Sequence, residues 1–176
     1  AFRYPRDEVD DRLAKTDCPP FELGRARCLL PNPKADVVVI AYGVPAMTAL
    51  DAASQLDSHI QVEVWDGRFA KPVDGDLIER TIRRGTPILT IEEHGLIGGF
   101  GAAVIEEATD RGLDTSRVVR AGLPDSWIHQ GSRGEQLAEA GLDLEGIMDA
   151  IRRAAALATK RDTVPVVETV PPAATY

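Results

Sequence analysis

Hydrophobic residues along this chain fall into short continuous runs separated by segments of helical period. Asp36-Val37-Val38-Val39-Ile40-Ala41-Tyr42 is a β-branched run that stops at Gly43, the pattern of a strand covered on both faces. Over residues 45–56, Met47, Leu50, Ala53 and Leu56 recur at helical spacing with Thr48, Asp51 and Ser54 between them, and Val44-Pro45 suits a helix start. Further strands are predicted over 60–65, 87–91 and 117–121, and helices over 74–84, 102–111, 132–140 and 144–159. In the 74–84 helix, Leu77, Ile78 and Ile82 form the apolar stripe, Arg80, Arg83 and Arg84 favour its C-terminal end, and Gly85 reads as its stop. Strand and helix alternate with short connections, so the prediction is an α/β fold. It takes the form of a three-layer αβα sandwich around a mostly parallel mixed sheet of about five strands. The fifth strand, over 25–30, is expected antiparallel at an edge.

The flanks read differently. Residues 1–35 are rich in Pro and charge, with Asp7-Glu8-Val9-Asp10-Asp11-Arg12, Cys18-Pro19-Pro20-Phe21 and Pro31-Asn32-Pro33. Pro removes a backbone donor and fixes φ, so this stretch predicts a linker from the end of a preceding domain, finishing in the edge strand. The packed domain is expected over 36–159. Residues 160–176 carry Pro165, Pro171 and Pro172 with no amphipathic period and are expected to form an extended tail. A length of 176 residues fits one core. The opening Ala1-Phe2-Arg3-Tyr4-Pro5-Arg6 has neither an initiator Met nor an apolar signal core, so the chain reads as part of a longer protein.

Composition narrows the partners. A net charge of −8 opposes binding to a polyphosphate backbone, which rests on clustered Lys and Arg. No apolar run approaches the roughly 20 residues that cross a bilayer. Neither nucleic acid nor membrane is therefore an expected partner. Cys18 and Cys28 stand ten apart with no CxxC and no further Cys, and are expected to be two reduced thiols, which fits a cytoplasmic location.

In an open parallel sheet, ligands bind beyond the carboxyl ends of the strands. Tyr42-Gly43, Asp66-Gly67-Arg68, Glu92-Glu93-His94 and Gly122-Leu123-Pro124-Asp125 fall there and define a candidate functional face, although strand-end loops are polar and Gly-rich with or without a ligand. The glycines Gly95, Gly98, Gly99 and Gly101 match neither GxGxxG nor GxxxxGK[ST]. A tight turn with close helix packing is expected there rather than a phosphate site. Glu92, Glu93 and His94 are the compact titratable set. Alternation along a strand lets Glu92 and His94 share one side, and a solvated or subunit-facing strand end is preferred over a general acid–base pair. His59 and His129 have no spaced His, Cys or Asp partner that would make a metal site.

Several segments together resemble the C-terminal domain of the transketolase family and, within it, the 1-deoxy-D-xylulose-5-phosphate synthases. They are Arg3-Tyr4-Pro5-Arg6, Pro20-Phe21-Glu22-Leu23-Gly24, Arg68-Phe69-Ala70-Lys71-Pro72-Val73-Asp74, Thr90-Ile91-Glu92-Glu93-His94, Gly98-Gly99-Phe100-Gly101, Gly122-Leu123-Pro124-Asp125, His129-Gln130-Gly131-Ser132 and Ala138-Glu139-Ala140-Gly141-Leu142-Asp143-Leu144-Glu145-Gly146-Ile147. The resemblance implies a homodimeric thiamine diphosphate enzyme that joins pyruvate to glyceraldehyde 3-phosphate with loss of CO2, for isoprenoid precursor synthesis. Upstream domains of the same polypeptide would hold the thiamine diphosphate and Mg²⁺. This chain has neither the GDG…N metal motif nor the pyrimidine-activating segment, so no catalytic, cofactor-binding or metal residue is assigned to it and alone it is expected to be inactive. One role carries over: Arg6, the second Arg of Arg-Tyr-Pro-Arg, is expected to bind the aldehyde's phosphate in the intact enzyme, where a guanidinium can hold two oxygens at once. The alternatives are the C-terminal domain of another transketolase-family protein or of a 2-oxoacid dehydrogenase β-type protein acting in subunit docking, the latter argued against by GLPD and AGLDLEGI, and a free-standing nucleotide or effector module.

Overall fold

The computed structural model describes residues 10, 12, 18–56 and 58–158. Arg6 and the 160–176 tail lie outside the described residues. Five strands, β1 (Arg27–Leu30), β2 (Val37–Tyr42), β3 (Val62–Asp66), β4 (Ile88–Gly95) and β5 (Val118–Leu123), alternate with helices α1 (Pro45–Gln55), α2 (Gly75–Arg84), α3 (Phe100–Asp110), α4 (Arg133–Glu139) and α5 (Leu144–Ala155). The sheet order is β1-β3-β2-β4-β5. β2 to β5 run parallel, while β1 lies antiparallel against β3 at the edge. The expected sandwich and its edge strand are therefore present.

Both faces of β2 are covered, as its unbroken apolar run requires. Val37, Val39 and Ala41 pack with Ala46, Ala49 and Ala52 of α1 and Ile147 and Ile151 of α5. Val38 and Ile40 face the other way, onto Leu77 and Ile78 of α2 and Phe100 and Val104 of α3. Each fully buried aliphatic side chain here contributes about 1.5–3 kcal/mol relative to exposure. Ser132 and Glu135 close a reciprocal capping box on α4, and Asp143 caps α5 through the Gly146 N–H at 3.0 Å.

Two boundaries depart from the sequence reading in a way that bears on function. β4 does not stop at Ile91 but continues through Glu92, Glu93 and His94 to Gly95. α3 begins at Phe100 rather than residue 102. A single side chain, Glu92, links the two changes. At the far end, α5 closes at Ala155, short of the expected 159.

Candidate functional site

β2 sits between β3 and β4, and the helices that follow β2 and β4 pack on opposite faces of the sheet. That divergence opens the crevice where an α/β sheet ordinarily takes a ligand. Here the start of α3 forms one wall of it. Glu92, opposite Tyr42 in the ladder, is fully buried and turns its carboxylate under the start of α3. Its Oε2 accepts the Phe100 N–H at 2.6 Å and its Oε1 accepts the Gly101 N–H at 2.8 Å. A helix N-terminus presents unsatisfied N–H groups and the positive end of the dipole. Gly99, the N-cap residue, has no side chain to offer, so Glu92 supplies the cap from the neighbouring strand.

The glycine cluster is built for that approach. A Cβ on Gly99 would lie 2.2 Å from Glu92 Oε2 and 2.4 Å from the Gly95 carbonyl. Gly99 and Gly101 admit helix against strand, as the sequence suggested, whereas Gly95 and Gly98 meet nothing within 4 Å, and the Phe100 and Gly101 N–H groups a phosphate would need are already bonded to Glu92. The Phe100 ring lines the crevice and stacks on Tyr42 with centroids 5.1 Å apart.

Glu92 and His94 do share one side, lining a cleft of about 480 Å³ together with Tyr42, Lys71, Phe100 and Glu106. Glu93 points away and forms an ion pair with Arg133. The preference for a solvated strand end is corrected for Glu92, whose carboxylate is sealed in as a cap; it holds for His94, which is exposed and has only a long 3.4 Å approach of Nδ1 to the Gly95 carbonyl oxygen. No hydrogen-bonded acid–base pair is assembled between them among the described residues. His59 lies in a turn before β3, and exposed His129 pairs with Glu139 at 2.8 Å, tying the loop after β5 to α4. Cys18 is exposed, Cys28 is half-buried, and both are free thiols.

A second buried charge organises the other end of this edge. Arg68 follows β3 with φ at +54°, a left-handed conformation that costs an L-residue about 1–2 kcal/mol. Its side chain is only 5% exposed. The guanidinium donates to the carbonyls of Pro20 and Pro19 and to Cys18 Sγ, each at 3.3 Å, and lies 4.5 Å from the centroid of the Phe21 ring. Its Nε has no hydrogen-bond partner among the described residues and stands 3.9 Å from Asp66, whose carboxyl burial pushes above its usual range. Asp74 completes the clamp. One oxygen caps α2 through the Leu77 N–H at 2.9 Å and the other accepts the Ala26 N–H at 2.9 Å. Residues 18–26 are thus strapped across the Arg68–Asp74 loop. In the sequence, the sign of this cap is an Asp directly before the α2 apolar stripe.

These residues do not fit a thiamine diphosphate or metal site. The α3 N–H groups are taken, and no group of three or more His, Cys, Asp or Glu side chains that could hold a metal ion occurs among the described residues. No described helix is long and apolar enough to cross a membrane.

Known proteins bear out the resemblance. The family described as transketolase, C-terminal domain, matches residues 26–147. A 1-deoxy-D-xylulose-5-phosphate synthase of Rhodopirellula baltica is 35% identical over 88% of this chain and 24% of its own length. One from an Anaeromyxobacter species is 42% identical over 86% of the chain and 24% of its own length. Among solved structures, a split-gene transketolase described as an inactive β4 tetramer superposes with a TM-score of 0.65 and 31% identity, over 78% of this chain and 43% of that one. The chain thus spans about a quarter of the length of the curated relatives it matches. By sequence and by fold alike, it belongs to the transketolase C-terminal domain family.

Proposed function

We propose that the intact protein is a cytoplasmic, homodimeric 1-deoxy-D-xylulose-5-phosphate synthase, and that this chain is its C-terminal sheet domain, contributing structure and dimer contact. The observation that carries the reading is 35–42% identity to synthases over most of the chain, at about a quarter of their length. The state of the strand-end crevice supports it: the acid that could have done proton transfer is spent as a helix cap. Thiamine diphosphate and Mg²⁺ would then be held by upstream domains, where they would supply the carbanion chemistry. In that enzyme Arg6 would bind the phosphate of glyceraldehyde 3-phosphate, and the reaction would feed isoprenoid precursor synthesis.

The test is reconstitution. Full-length protein given pyruvate, glyceraldehyde 3-phosphate, thiamine diphosphate and Mg²⁺ should release CO2 and form 1-deoxy-D-xylulose 5-phosphate, while residues 1–176 alone should form none. Product from the 176-residue chain would overturn the division of labour, and no product from the full-length protein would overturn the synthase reading.

A further inference from the structure

The carboxylate of Asp51 has no use within its own helix. It stands on the polar side of α1, whose Ala46, Met47, Ala49 and Ala52 go to the core, and Asp in a helix interior forms helix less readily than Ala. Among the described residues, the side chain it meets is Arg12, 39 positions earlier in the chain. Arg12 Nη1 donates to Oδ1 at 2.7 Å and Nη2 donates to Oδ2 at 3.1 Å, so the guanidinium grips both oxygens.

Asp10 aims that fork. Arg12 Nε donates to both Asp10 oxygens at 3.0 Å, Nη2 donates to Oδ2 at 2.6 Å, and the Arg12 backbone N–H donates to Oδ1 at 2.8 Å. The side chains of Arg12, Asp10 and Asp51 are 49, 29 and 43% exposed. An isolated pair this exposed would contribute little, but bidentate geometry within a network of charges is the case in which a surface ion pair holds its partners. The chain is therefore tied to the outer flank of α1 at residue 12, and tied again at residues 19 and 20, where Arg68 holds the Pro19 and Pro20 carbonyls.

Arg12 follows Arg6 by six positions. An extended chain of that length spans at most about 20 Å, so the tie at Asp51 limits where Arg6 can go. Without it the next tie downstream is at residue 19, thirteen positions from Arg6. The effective concentration of a tethered group falls roughly as the −3/2 power of tether length, which makes the loss about threefold for this change.

We infer that Asp51 is a positioning residue for the substrate phosphate: through Arg12 it keeps Arg6 near the place where the phosphate of the aldehyde binds. The inference rests on the proposal that the intact protein is a synthase in which Arg6 takes that phosphate. Asp51 itself touches no substrate.

The test uses full-length protein carrying Asp51→Asn, which keeps the size of the side chain and removes its charge. KM for glyceraldehyde 3-phosphate should rise about threefold, while kcat and KM for pyruvate stay at the parent values, because the tie acts on Arg6 and not on the reacting groups. Glyceraldehyde, which has the aldehyde but no phosphate, should be used equally well by variant and parent. Asp51→Glu keeps a carboxylate for Arg12 and should keep the parent KM. Melting of residues 1–176 should be the same with and without Asp51→Asn, as expected of exposed groups. An unchanged KM for glyceraldehyde 3-phosphate in a working enzyme would overturn this inference alone. Equal rises for pyruvate, glyceraldehyde and glyceraldehyde 3-phosphate would also overturn it, since they mark a merely structural role. No turnover from the parent would overturn the synthase reading and this inference with it.

Discussion

Glu92 and Arg68 both bury a charged group near the carboxyl edge, and they do it with opposite degrees of completeness. Glu92, on β4, is satisfied by two short bonds from backbone N–H groups at the start of α3. Arg68 holds two carbonyls and a thiol at 3.3 Å, leaves Nε without a hydrogen-bond partner among the described residues, and sits on a left-handed backbone. A buried group with good partners fixes a unique structure, while a buried group with poor ones costs stability. The contrast separates two jobs: the Glu92 corner fixes the start of α3 on β4, and the Arg68 corner holds residues 18–26 over the loop after β3.

The largest expected effect comes from breaking the satisfied corner. Glu92→Ala leaves two buried N–H groups unmet and a cavity beneath α3, and should lower stability by about 3–5 kcal/mol. Chemical denaturation reads this directly, and a loss under about 1 kcal/mol would mean the cap is not what holds α3. Gly99→Ala drives a Cβ onto the Glu92 carboxylate and the Gly95 carbonyl, so a loss of about 2–4 kcal/mol is expected. A fully stable Gly99→Ala would show that this corner yields.

Arg68→Ala should cost less, about 1–2 kcal/mol, and should speed proteolytic cleavage within residues 18–26, followed by limited digestion and mass spectrometry. Arg68→Gly sharpens the comparison, since glycine removes the clamp while relieving the left-handed strain. It should melt higher than Arg68→Ala yet be cleaved as fast. Slower cleavage in either variant than in the parent would contradict a clamp.

The smallest effect concerns pH. Asp76 is held below its usual range by Arg25 and then Arg111, and Glu79 by Arg83 and then Arg111. Their ion pairs contribute stability above the unfolded carboxylate values, 3.8 and 4.5, that is lost as pH falls through the lower folded values. Asp66 acts in the other sense. Its raised value means a penalty at neutral pH that is relieved as pH falls through it. Asp76→Asn with Glu79→Gln should therefore flatten the acid limb of the stability curve below about pH 4.5 only slightly, because exposed pairs are weak. A steep change would show these pairs to be stronger than their exposure allows.

Much of the architecture was legible in the residues. The unbroken run from Val37 to Tyr42 implied a strand covered on both faces, alternation separated Glu93 from Glu92 and His94, and the spacing of the glycines pointed to close packing over phosphate binding. The two buried charges were not legible, for different reasons. Glu92 looked like an ordinary strand-end acid because nothing local shows that the chain turns back and sets a helix start over it. Arg68 finds its partners 48 to 50 positions away. Those partners are mainly backbone carbonyls, which leave no mark in a side-chain pattern. Only Asp74, an acid just ahead of an amphipathic stretch, announced its capping role.

In the proposed synthase this domain would supply structure while the reacting groups lie in upstream domains. His94 is an exposed titratable side chain lining the cleft, as are Lys71 and Glu106, and its one approach, Nδ1 to the Gly95 carbonyl oxygen, is a long 3.4 Å. The most direct measurement is the turnover of the full-length protein carrying His94→Gln, with pyruvate and glyceraldehyde 3-phosphate. The expected kcat lies within about threefold of the parent across pH, whereas a loss of the 10²–10⁴-fold that a general acid or base supplies would contradict the claim.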